Sequence, residues 1–423
     1  MTLSALLLFA SLQAKTGFQP IASSTALSAK ERAAFKKAIG NSRVVMLGEL
    51  THGDGTSHEI KVELVKFLHE EMGFDVLIWE SGMYDCAEMD AQIGGTKPMG
   101  SVATTGVFGH WSKGKETFPI FEYARQTHKS SRPLRMAGFD LQASGSASNS
   151  MFPDFLDWFK DRKELTAEDR AAVDASFQKA RSAAQAPDPN AAMAEAQIAV
   201  YQTAARFLKA YESNSTELNA LWGSNWKLRR QVLRNAVKYG EMLEGYRDTQ
   251  AKKLSFFVPY NLRERVNAEN LLWLANDLYK GKKLVVWAHN MHIFKGIPTR
   301  GAGAKLEIGP NEMDSMGRIV GKALDKQVYS LGFMAYEGTW SWLGNGPISF
   351  RKAEADSIES ILHGTGASLM FANLRGLAKN DALGKPLPAT LDQQNPLTIK
   401  TTWADGFDGI VYIDKMKPRV QLP

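Results

Sequence analysis

Val44-Val45-Met46-Leu47-Gly48-Glu49-Leu50-Thr51-His52-Gly53 decides how the chain is read, because an apolar run stops abruptly at glycine and gives way to an acid and a histidine. A buried strand that ends at a sheet edge delivers polar side chains in this manner. Two further runs behave alike. Val76-Leu77-Ile78-Trp79 ends in Glu80, and Leu284-Val285-Val286-Trp287-Ala288 ends in His289-Asn290-Met291-His292. Three strand ends are thus expected to hand Glu49, Glu80, His52, His289 and His292 to one place.

Outward from these strands, Ser28 to Ile39 has the pattern of a helix, with Ser28 as N-cap, Glu31 three residues on and Gly40-Asn41 closing it. After the His52 loop, Ile60, Leu64, Phe67 and Leu68 recur at helical spacing until Gly73. This is a strand-helix-strand unit whose two strands are expected to pair in parallel through a right-handed crossover. Residues 94–114, rich in Gly, Thr and Ser, suggest a loop over the sheet edge. Leu134 to Asp140 is a weaker strand candidate that again ends in an acid.

From about Phe152 to Gln250 alanine, charge and 3.6-period apolar residues dominate, with breaks at Pro187-Asp188-Pro189 and Asn214-Ser215. Three or four helices are expected there. Asn261 to Lys280 makes a further helix leading into the His289 strand, and Gln327 to Phe333 and Gly409 to Ile413 read as two more core strands. The pattern predicts an α/β fold, a mostly parallel central sheet flanked by helices, with a helical insertion forming a lid over the cleft. Its divisions are 1–17, a signal peptide or an N-terminal apolar segment that forms a helix; 18–150, the first part of the α/β core; 151–255, the insertion; and 256–423, the second part of the core.

With 44% hydrophobic and 23% charged residues over 423 positions, the chain is globular and excludes general disorder. Its net charge of +6 comes from Lys and Arg interleaved with Asp and Glu, with no basic tract bearing aromatics, which argues against a nucleic-acid partner. Cys86 is the only cysteine, so an intramolecular disulfide and a site of several thiolates are both excluded. Leu3 to Leu12 followed by Gln13-Ala14-Lys15 resembles a signal peptide, although no Lys or Arg precedes it. A cleaved leader implies a periplasmic or secreted protein; an uncleaved one, a cytoplasmic protein. No other stretch approaches the roughly 20 apolar residues of a membrane span.

A histidine just beyond a strand and flanked by Gly48 and Gly53 suits a general base, since glycines let a substrate or water approach closely. An imidazole with the ordinary pKa of about 6.5 exchanges protons readily near neutrality. Glu49 or Glu80 is expected to hold the other ring nitrogen. Glu80, beside apolar walls, is expected to have its pKa raised by desolvation, and to serve as acid, base or orienter, with a salt bridge to Lys61 or Arg263 as the simpler alternative. His52, His289 and His292 with these carboxylates also suit a divalent metal. However, HExxH is absent, since His58-Glu59 and His69-Glu70 lack the second histidine, so activation of water without metal is the preferred reading.

No G-x-S-x-G elbow occurs, which disfavours a serine hydrolase. Gly301-Ala302-Gly303-Ala304-Lys305 has neither Walker nor dinucleotide spacing and reads as a flexible loop. His58, His69, His110 and His128 are taken as structural or surface residues.

Gly48-Glu49-Leu50-Thr51-His52-Gly53, Gly73-Phe74-Asp75 with Trp79-Glu80, Arg263-Glu264 with Ala268-Glu269-Asn270, Trp287-Ala288-His289-Asn290-Met291-His292 and Met316-Gly317 together resemble the erythromycin esterase family in order and spacing, from about Ser42 to Asp414. The resemblance implies a hydrolase that opens the macrolactone ester of a macrolide antibiotic, the chemistry of antibiotic resistance. It further implies that His52 activates water without a covalent intermediate. Glu49, Glu80, His289 and His292 match the family's other active-site positions and Arg263 its cleft arginine. Lys61 stands where the macrolide esterases usually carry arginine, and Glu264 where the Arg-Asp pair has aspartate. Arg and Lys differ at a bidentate site, so this departure bears on the substrate or the oxyanion contact.

On this reading Arg263, Lys61 or a histidine stabilises the oxyanion, and one of His289 and His292 protonates the leaving alkoxide. The protein is expected to act as a monomer on a small-molecule ester, without cofactor or integral membrane association. The rivals are a metal-dependent hydrolase using the same histidines and a haem- or ligand-binding protein without catalysis.

Overall fold

The computed structural model describes residues 18–183, 185–252, 255, 257–296, 313–377, 381 and 383–422. The apolar leader and the Gly301 to Lys305 loop lie outside the described residues. Eleven strands are present among the described residues: β1 (Gln19–Pro20), β2 (Val44–Leu47), β3 (Phe74–Gly82), β4 (Arg135–Asp140), β5 (Lys283–Trp287), β6 (Val328–Ser341), β7 (Pro347–Ser349), β8 (Leu369–Asn373), β9 (Leu387–Asp392), β10 (Leu397–Thr401) and β11 (Gly409–Met416).

The main sheet runs β1-β8-β11-β6-β2-β5-β3-β4, with β7 attached to β6. From β11 to β4 every neighbouring pair is parallel, while β8 and β1 close one edge antiparallel. The expected α/β architecture with a mostly parallel sheet is therefore present. β9 and β10 form a separate antiparallel ribbon.

One expected pairing is corrected. β2 and β3 do not touch, because β5 lies between them and pairs Val286 with Met46 on one side and with Ile78 on the other. A strand that follows the long insertion fills the gap that the strand-helix-strand crossover leaves. As a result His289 and His292, leaving β5, emerge between the β2 loop and the end of β3.

Alternate residues of these strands point to opposite faces. Val44, Met46, Ile78, Leu284 and Val286 enter one apolar cluster, and Val45, Leu47, Leu77, Val285 and Trp287 the other. Both faces are covered, which is why these strands are apolar without alternation. Ser28 caps the helix Ala29–Ile39 with a full capping box, its backbone N–H donating to Glu31 Oε2 at 2.6 Å. The helix Gly55–Met72 ends at Gly73 in the left-handed region, φ 76°.

The chain from Ser148 to Lys252 is helical and breaks at the two predicted places, but carries six α-helices where three or four were expected. Its aromatic residues, Phe152, Phe155, Tyr201 and Phe207 among them, join the apolar cluster on one face of the sheet. Residues 94–114 are also not simply a loop, since they hold the helices Met99–Gly106 and Gly109–Ser112. Glycine and threonine are poor helix formers, and burial of Met99, Val102, Ala103, His110 and Trp111 outweighs that weakness. Among the described residues no helix is long and apolar enough to cross a membrane.

Candidate active site

Parallel strands present their carboxyl ends to one edge of the sheet, and three adjacent strands here deliver their polar residues to that edge. Gly48 is required by close approach, because a Cβ there would overlap Asn290 Oδ1. Asn290 in turn knits β5 to β6, its Nδ2 donating to Phe333 O at 2.7 Å and its Oδ1 accepting from Phe333 N at 3.1 Å. Asp54 clamps the loop between, accepting from the backbone N–H groups of Leu50 at 2.8 Å and Thr51 at 3.0 Å and from Thr51 Oγ1 at 2.7 Å.

Glu49 is wholly buried, and each of its oxygens is engaged. Oε1 accepts from His52 Nδ1 at 2.8 Å and from Trp111 Nε1 at 3.1 Å; Oε2 accepts from Lys61 Nζ at 2.7 Å. His58 Nε2 lies 3.2 Å from Oε2 without hydrogen-bond geometry. Burial alone would raise the pKa of Glu49, but Lys61, His52 and His58 outweigh it and hold the carboxyl well below its usual range. Because an ionised Glu49 only accepts, the proton of His52 sits on Nδ1. His52 Nε2, on a side chain 15% exposed, has no partner among the described residues.

Glu80 builds a second centre. Its Oε1 lies 2.8 Å from His292 Nε2 in an ion pair and accepts from Arg263 Nη2 at 3.1 Å, and its Oε2 accepts from the backbone N–H of His289 at 2.8 Å. Burial pushes its pKa up, yet His292, His52 and Arg263 hold it well below the usual range. This corrects the expectation of a raised pKa and makes Glu80 a fixed anion. His292 Nδ1 donates to Glu264 Oε1 at 2.5 Å. Burial opposes its charge, but Glu264 and Glu80 prevail and push its pKa up to about 10, so it is an imidazolium near neutrality. Arg263 pairs with Asp140 through Nε and Nη2, leaving Nη1 without a partner among the described residues.

His289 is also held at both nitrogens. Nδ1 accepts from Met291 N–H at 3.1 Å and Nε2 donates to Leu50 O at 2.8 Å, with Asp392 Oδ1 3.5 Å away. Burial disfavours its charge and Asp392 more than offsets that, raising its pKa. The rings of His52 and His289 stand edge to face, centroids 5.4 Å apart, and those of His289 and His292 6.5 Å apart.

The structure therefore brings Glu49, His52, Glu80, His289, His292 and Arg263 together and leaves Lys61 with no access to solvent. Lys61 lies wholly buried beneath Glu49, with its ammonium 4.2 Å from the centre of the Trp287 ring, and cannot meet a substrate. His289 and His292 have no free nitrogen to act on a leaving group. His58 and His110, read as structural or surface residues, stand in the site. His110 stacks on His52 at 4.5 Å, and its sequence neighbourhood, Phe108-Gly109-His110-Trp111, lacks the preceding apolar run that marked the other histidines. Asp392 and Asp140 were also unassigned. His69 is structural, bonded to Tyr123 Oη at 2.7 Å and Arg132 O at 3.0 Å. Among the described residues no three His, Cys, Asp or Glu side chains are placed to hold a metal ion.

The family model described as erythromycin esterase matches residues 69–416, a span that includes Glu80, Asp140, Arg263, His289 and His292. The chain belongs to the erythromycin esterase family. It is 27% identical over 417 residues to "Putative hydrolase YbfO" of Bacillus subtilis (strain 168), covering 95% of this chain and 90% of that one. It is 23% identical to erythromycin esterase type II of Escherichia coli, over 90% of this chain and 91% of the relative. A mutant of the erythromycin esterase EreC in its open conformation has the same fold, with a TM-score of 0.70 at 15% identity over 94% of this chain and 98% of that one.

Proposed function

We propose that this erythromycin esterase family member hydrolyses a carboxylic ester, the macrolactone of a macrolide or a related bulky ester, with water activated by His52. The single observation that carries the reading is the asymmetry of the His52 ring. Buried, ionised Glu49 holds Nδ1–H, while among the described residues Nε2 is the one histidine nitrogen of the strand-end set left free to take a proton.

In the proposed reaction His52 Nε2 removes a proton from water, and the hydroxide oxygen adds to the ester carbonyl. Glu49 stabilises the imidazolium that forms, as a buried carboxylate does for a catalytic histidine elsewhere. Arg263, aimed by Asp140 and Glu80, offers Nη1 to the oxyanion. When the carbon–oxygen bond breaks, the proton on His52 passes to the departing alkoxide, leaving a carboxylic acid and an alcohol. His292, locked between Glu264 and Glu80, is a fixed positive charge rather than a proton donor.

Support for an ester as substrate comes from the family and from the type II relative; support for water as nucleophile comes from the missing serine elbow and the free Nε2. Incubation with erythromycin, other macrolides and 4-nitrophenyl butyrate, followed by mass spectrometry, tests it. A product heavier by one water, absent with His52→Ala, is the expected result. No water-added product from any of the esters, or equal turnover by His52→Ala, contradicts the proposal.

A further inference from the structure

The hydrogen bond to Glu49 fixes one atom of the His52 ring but not its plane, which the rings packed around it have to set. Phe108, His110 and His52 form a column of near-parallel rings. Phe108 lies on His110 with centroids 5.3 Å apart and planes 16° apart, and His110 on His52 at 4.5 Å and 9°. The short segment that carries the column is pinned to both halves of the site. The Phe108 N–H donates to Ser81 Oγ at 3.3 Å, beside Glu80, and Trp111 Nε1 donates to Glu49 at 3.1 Å. The Trp111 ring meets the edges of His110 at 4.3 Å and His52 at 5.0 Å.

His110 is not held there by hydrogen bonding, since its buried Nε2 has no partner among the described residues, an arrangement that costs stability. What it contributes is its ring face. Burial, followed by the neighbouring His52, holds its pKa well below the ordinary value, so it stays uncharged when His52 takes a proton. A neutral π face stacked on an imidazolium attracts it, whereas a second cation would repel it.

We propose that His110, backed by Phe108, is a positioning residue for His52: its face fixes the plane of the His52 ring, so that Nδ1 stays on Glu49 and Nε2 stays turned to the reacting water. The proposal rests on His52 being the base, and its test reads the ring directly. In long-range proton–nitrogen NMR of the full chain labelled with 15N-histidine, with His52→Ala used for assignment, wild-type His52 is expected to show one tautomer, Nδ1–H. His110→Phe preserves that signature and His110→Ala mixes the tautomers.

On an ester that the wild type turns over, His110→Ala lowers kcat about 10- to 100-fold with KM within about threefold, the scale expected when a reacting group is misplaced. His110→Phe restores most of the loss. Phe108→Ala, at a partly exposed position, reproduces the His110→Ala effect in weaker form and keeps the proposal testable should His110→Ala melt early. An unchanged His52 tautomer in both alanine variants overturns the proposal, as does His110→Phe being as impaired as His110→Ala. Turnover that survives His52→Ala strikes instead at the assignment of the base.

Discussion

Glu49 and Glu80 sit at the ends of two parallel strands with β5 between them, and each is a buried carboxylate held well below its ordinary pKa. They differ in what they do with that charge. Glu49 is neutralised from below by Lys61 and keeps a histidine whose far nitrogen is free; Glu80 is neutralised by Arg263 and by a histidine whose far nitrogen is taken by Glu264. The first arrangement can move a proton. The second can only aim a guanidinium and hold a positive charge still. Two similar carboxylate–histidine pairs thus acquire different roles from one extra acid.

Breaking the Glu49 half is expected to have the largest effect. Glu49→Gln removes the group that fixes the His52 tautomer and lowers kcat about 10²- to 10⁴-fold, the range of positioned acid–base catalysis. It also strands the Lys61 ammonium, and loss of one partner of a buried pair costs about 3–5 kcal/mol, read as a lower midpoint in urea. Glu49→Gln with Lys61→Met recovers stability without recovering kcat. Stability that stays low in the double variant would mean that the Lys61 pair is not what the single change disrupts.

Glu80→Gln takes away one of the two acids that aim Arg263 while Asp140 keeps its hold, and lowers kcat less, about 10- to 100-fold, below the roughly 10²- to 10³-fold cost of losing an oxyanion donor outright. Equal losses for the two glutamine variants would erase the distinction drawn between the halves.

The locked pair has its own pH signature. The folded pKa of His292 is raised to about 10, against about 6.5 for a free histidine. Its contribution to stability is therefore complete below about pH 6.5 and is lost as pH rises through about 10. Unfolding in urea is expected to show falling stability between those values, with a flatter slope in His292→Asn. An identical slope in the variant would place the proton elsewhere.

Lys61→Arg, which restores the residue expected from the resemblance, has the smallest effect. The position is fully buried, so the larger guanidinium costs about 1–3 kcal/mol of stability, while kcat stays within about tenfold. A change of substrate preference in Lys61→Arg would contradict its placement beneath Glu49.

How far the site could be read from sequence depended on its setting. Glu49, His52, Glu80, His289 and His292 each follow an uninterrupted apolar run, and a strand buried on both faces writes that signal plainly. His110 follows residues of low helix propensity whose helix exists only because the core accepts it, and Asp392 arrives on the β9–β10 ribbon outside the main sheet. The insertion of β5 between β2 and β3 was equally hidden, since nothing local in a strand states its neighbours. Lys61 was read from the resemblance, which matches a position along the helix but says nothing of the depth of the Glu49 oxygen that its ammonium meets.

Chemical rescue tests the central claim most directly. His52→Gly leaves a space beside Glu49 for a free imidazole. Negligible turnover of the wild-type ester substrate is expected from His52→Gly, restored in proportion to the unprotonated imidazole added and not by imidazole in His52→Gly/Glu49→Gln. Undiminished hydrolysis by His52→Gly, indifferent to imidazole, would contradict the claim.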